Sequence, residues 1–99
     1  MSNLQKLACL ETLEKFVNEN LFMPNVRWPT YEFDKRSYER WAANEAINRI
    51  IYSDLDPIDI LWRFSNELHN CELEAADSSV RMIFESSKEV IEEMGALLV

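Results

Sequence analysis

Three groups of side chains have the types and spacing for chemistry: His69 with Cys71 and Glu72, the aspartates Asp54, Asp56 and Asp59, and the glutamates Glu85, Glu89, Glu92 and Glu93. The first group holds metal-donor atoms, and His69, the only histidine, is of the residue type most used as a general acid or base. Two helical positions lie about 200° apart, however, so His69 and Cys71 diverge, and no further ligand stands at zinc spacing. An edge-of-core histidine and two buried thiols, Cys9 and Cys71, are the plainer expectation. The aspartates lack the glycine and the twelfth-position glutamate of a calcium loop, and helix capping accounts for them better. A phosphate-cradling loop needs several glycines where this chain has only Gly95, and Gly-x-Ser-x-Gly, His-Glu-x-x-His and Cys-x-x-Cys are absent. No catalytic residue, metal or cofactor is assigned, and the chain reads as a binding protein rather than an enzyme.

Two surfaces have the composition for binding. Glu85, Glu89, Glu92 and Glu93 fall along one side of a C-terminal helix, about 5–6 Å apart, comparable to neighbouring phosphates on a nucleic-acid strand. Such a row can mimic a nucleic acid or can be merely solvated. In the second helix, Tyr38, Trp41, Glu45, Arg49 and Tyr52 fall within about 100° of one another. Trp, Tyr and Arg dominate interface hot spots because they bury much area and keep a polar tip. With Trp28 and Tyr31 from the preceding segment they form a candidate aromatic patch. The alternative is that this helix is central and buries both its faces.

Charge separates the two surfaces. Residues 1–53 carry seven acids and seven bases, whereas residues 54–99 carry eleven acids against Arg63, Arg81 and Lys88, so the formal charge of −8 belongs to the C-terminal half. That field repels phosphate backbones and attracts basic proteins, so no direct nucleic-acid contact is expected. A chain of 99 residues with 47% apolar side chains supports one domain, 1–99, with a single core. No run approaches a membrane span, no secretory signal is evident, and the chain, starting at Met1, reads as full length. With only two cysteines, a reducing cytoplasmic setting is expected.

The elements that must position these residues are helical, because a single glycine and three prolines leave few tight turns for a sheet. The periodicity predicts an all-α fold, a four-helix bundle or a related orthogonal α fold, with helices over about 3–20, 34–52, 57–73 and 79–94. Residues 22–33, with Pro24 and Pro29, are expected to be an ordered loop, and Asp34 or Ser37 to cap the second helix. Asp56-Pro57-Ile58-Asp59 marks the third helix start, with its apolar arc through Ile58, Leu61, Phe64, Leu68 and Cys71. A phase change near residue 77 argues for a break, with Asp77, Ser78 or Ser79 capping a fourth helix that buries Val80, Ile83, Phe84, Ser87, Val90, Ile91 and Met94. Gly95 is expected to end that helix and the Ala96-Leu97-Leu98-Val99 tail to be buried on the bundle or across a dimer.

The stretch from Asp56-Pro57-Ile58-Asp59-Ile60-Leu61 through Phe64 and Leu68, then Ser79, Phe84 and the closing acidic helix, resembles small uncharacterised helical proteins of phages and integrative elements of Gram-positive bacteria. The resemblance covers about forty residues. It implies a mobile-element context, in which such proteins bind and inhibit a host or rival protein. The expectation is an acidic protein-binding module whose partner has a basic surface, with an inhibitor that blocks a nucleic-acid-binding surface as the special case. A helix-turn-helix DNA binder using the neutral half, a homo-oligomeric structural subunit such as a homodimer, and a carboxylate enzyme with Mg²⁺ are the rivals.

Overall fold

Short polar side chains start three of the four helices by satisfying amide donors that the helix itself leaves unpaired. Ser2 accepts from the Gln5 amide while the Gln5 side chain accepts from the Ser2 amide, a reciprocal capping box that opens α1 (Asn3–Asn20). Asp56 accepts from the Ile58 amide at 2.9 Å ahead of Pro57, the first residue of α3 (Pro57–Glu74). Asp77 accepts from the Ser79 and Val80 amides at 2.7 and 3.3 Å and opens α4 (Ser78–Leu97). α2 (Thr30–Ile51) completes an all-α fold, seen in a computed structural model that describes residues 2–99 and has no strand among them.

The second helix starts earlier than its sequence pattern indicates. Pro29, not Asp34 or Ser37, is its N-cap, with no side-chain cap bond, and the Phe33 amide reaches the Pro29 carbonyl at 2.9 Å. Proline biases the residue before it away from helix but is itself preset for a helix start, so Pro29 closes the loop and Tyr31 belongs to the first turn of α2. The ordered loop is thus shorter than 22–33. Gly95 likewise does not end α4: its φ is not positive, and the helix runs on to Leu97. Nothing after Gly95 supplies the left-handed residue on which a glycine stop depends.

α3 and α4 form a hairpin across the three residues 75–77, and α2 packs against all three other helices. Ala42, Ala43 and Ala46 are fully buried, so the backbone of α2 is approached closely from more than one side. Leu13, Val17 and Leu21 dock α1 onto this centre, while Leu61, Phe64 and Leu68 meet Val90, Ile91 and Met94 in the hairpin's share of the core. Each such side chain contributes about 1.5–3 kcal/mol by leaving water. Several positions placed in the core by periodicity are not there, and Ile83 is only half-buried. Val80 is 41% exposed because it lies in the first turn of α4, and Ile58 and Cys71 are also exposed. At the end of α3 it is Glu72 that turns inward, where Lys88 meets it at 3.2 Å. In the tail only Leu98 packs on the core, whereas Leu97 and Val99 stay in water. No helix among the described residues is long and apolar enough to cross a membrane.

Candidate functional site: an acidic helix and its two creases

Glu85, Glu89, Glu92 and Glu93 are all exposed on α4, and none joins an ion pair among the described residues. Their neighbour Lys88 is turned inward to Glu72 and to the Nδ1 of His69, at 3.2 and 3.3 Å, so the base between them does not neutralise them. His69, itself exposed, therefore sits in a polar cluster with the partly buried Glu72 and Lys88 rather than at the edge of the core. The carboxylates divide between two creases. Glu85 and Glu89 line one between α2 and α4 that also holds Tyr31, Lys35 and Met82. Glu92 stands at another, between α3 and α4, where it accepts from the Ser65 hydroxyl at 3.5 Å.

The residues of the aromatic patch do not converge. Tyr38 and Trp41 meet at a tilt of 51° with centroids 5.0 Å apart, Tyr38 meets Phe84 edge-on at 5.2 Å, and Trp41 meets Phe64 edge-on at 6.2 Å. This part of α2 faces its neighbours, and Trp41 keeps 48% of its surface in water. Burial foremost, with the Cys71 charge adding to it, pushes the Tyr38 phenol above its ordinary value. Glu45 and Glu67 hold Arg49 at 3.1 and 2.7 Å, with its guanidinium over the Phe64 ring. Tyr52, 87% exposed, lies beyond Arg49 at the far end of α2. Trp28 is folded into its own loop, its indole donating to the Pro24 carbonyl at 3.2 Å. Tyr31 lies in the crease with Glu85 and Glu89, its hydroxyl buried and without a hydrogen-bond partner.

Periodicity did not single out the crease between α3 and α4. Ile58, Leu61, Trp62, Ile91 and Gly95 line it, and Trp62 is 66% exposed. The available signal was Trp62 itself, a large ring outside the apolar arc of its helix. Among the described residues no group of three or more His, Cys, Asp and Glu side chains is arranged to hold a metal ion. Compared with family models, with curated proteins and with solved structures, the chain finds no match.

Proposed function

We propose that this chain is a small acidic protein-binding module that occupies a basic surface of another protein, with a nucleic-acid-binding surface of a host or defence protein as the target that best suits its spacing. The observation that carries this reading is the exposed, unpaired row Glu85, Glu89, Glu92 and Glu93. Glu85 with Glu89, and Glu89 with Glu93, are like-charge i, i+4 pairs, and each costs the free helix a few tenths of a kcal/mol. A basic partner reverses that sign on binding. The net charge of −8 also steers such a partner before contact. The rival DNA-binding reading has one observation of its own, exposed Arg40, Asn44 and Asn48 on α2. Side chains of those types read base edges, but they stand on a helix that packs against all three others.

Pull-down from a bacterial lysate at low and high salt, followed by stopped-flow association with the captured protein, tests the reading. Charge reversal of Glu85, Glu89 and Glu92 to Lys slows association strongly at 0.05 M salt and weakly near 1 M, where the Debye length is only ~3 Å. Association that ignores both salt and the triple reversal overturns the proposal. Salt-sensitive binding of a labelled DNA duplex, lost in Arg40→Ala, would support the rival.

A further inference from the structure

The one glycine in this chain is spent where no backbone freedom is used. Gly95 lies within α4, its φ is not positive, and a Cβ added there meets nothing within 4 Å. Glycine is a poor helix former, so at this position it weakens the helix and relieves no clash. Gly95 lines the α3/α4 crease, and no neighbour occupies the space its missing Cβ would take. The crease measures about 240 Å³ and is walled by Ile58, Leu61, Trp62 and Ile91, with Glu92 at its edge. It is smaller than the ~300–1,000 Å³ of a small-molecule pocket and matches one large side chain. Val99 also borders it but is 96% exposed, so the tail of this chain does not fill it.

We propose that this crease receives a large apolar side chain from a basic amphipathic segment of the partner protein, so that the acidic helix and the crease form one docking surface. The proposal rests on the acidic-module reading above and adds the place and the chemistry of the anchor. Charge selects the occupant. Both walls come from the half of the chain with eleven acids and three bases, so a second copy would bring like charge to the same face, while a Lys/Arg-flanked anchor brings the opposite one. An exposed tryptophan beside a preformed apolar slot is also the arrangement in which one inserted side chain carries most of the binding energy.

The test is an NMR titration of the full ¹⁵N-labelled chain, in which Gly95 is the sole glycine amide and therefore an isolated reporter. Three 18-residue synthetic peptides serve as probes: an amphipathic Lys/Leu helix, a Glu/Leu helix with the same apolar face, and a Lys/Ser peptide with the charge alone. The Lys/Leu peptide is expected to shift the Gly95 amide and the Trp62 indole. Gly95→Leu, which fills the slot from within, is expected to weaken that peptide at least tenfold while melting no lower than the parent. Should Gly95→Leu misfold, the exposed Trp62→Ala must show the same loss. Binding of Lys/Leu and Lys/Ser peptides alike, with shifts at Glu85 and Glu89 but none at Gly95, overturns the crease proposal and leaves the acidic module standing. Binding of neither lysine peptide overturns both. Equal entry of the Glu/Leu peptide refutes the basic partner. A concentration-dependent Gly95 shift without peptide, together with a sedimenting dimer, shows that a second copy is the occupant and overturns the proposal.

Discussion

The guanidinium carbon of Arg49 lies 4.3 Å from the centre of the Phe64 ring, which ties α2 to α3 by a charge over a π face. The same group donates to Glu45 within its helix and to Glu67 across the interface. Burial pulls the Arg49 pKa down, but the hydrogen bonds to Glu67 and Glu45 and their charges outweigh it, so the value is raised. Lysine keeps the charge but has neither the planar fork nor the stacking face. Arg49→Lys is expected to cost about 0.5–1.5 kcal/mol, a range kept small because the pairs are partly solvated. Urea unfolding measures it; a midpoint equal to that of the parent would show that the fork is not used.

The caps of α3 and α4 predict a contrast among aspartates. Asp56→Ala and Asp77→Ala each remove a side-chain acceptor from unpaired amides and should each cost about 0.5–2 kcal/mol. Asp34 lies inside α2 rather than at its cap, so Asp34→Ala should stay within about 0.5 kcal/mol of the parent. Comparable losses at all three positions in chemical denaturation would contradict the observed start of α2.

Tyr38 predicts an alkaline dependence. Its pKa is raised on folding, so the neutral phenol is favoured in the native state. The stability this contributes is fully present below the ordinary value of 10.0 and is lost as pH rises through the raised folded value. Tyr38→Phe should therefore flatten the decline of stability above pH 10.0 relative to the parent. Parallel decline in the two proteins, followed by urea midpoints across that range, would remove Tyr38 from the account.

Gly95 predicts a gain. Its backbone is compatible with any L residue and its Cβ position is open, so Gly95→Ala should stabilise the chain by about 0.4–1 kcal/mol. A melting temperature that falls instead would mean that the glycine relieves a contact absent from this geometry.

Where local chemistry decides, the sequence was legible. Asp56-Pro57 and Asp77 carry their own capping acceptors, and α1 is observed over the predicted span, 3–20. Pro29 and Gly95 were misread because each residue permits two outcomes: proline both ends a loop and begins a helix, and glycine is tolerated within a helix as well as after it. The surroundings of the aromatic stripe were illegible for another reason. Tyr38, Trp41 and Arg49 do share a face of α2, but only the placement of Phe64 and Phe84, on α3 and α4, turns that face toward protein. The crease beside Trp62 is likewise a property of two helices together, and no single-helix pattern contains it.

The three-residue connection between α3 and α4 has a consequence for the order in which the molecule assembles. Two capped, amphipathic helices joined this tightly meet through contacts of short sequence separation, so little loop entropy opposes their pairing. α1, by contrast, buries only Leu13 and Val17 within its eighteen residues. The hairpin is thus expected to form early and open last, and α1 to dock late and open first. Native-state hydrogen exchange should find its slowest amides in α3 and α4 and its fastest helical ones in α1. The segment bearing the unpaired carboxylates would then be the most persistent part of the chain, its shape held even while the opposite end breathes.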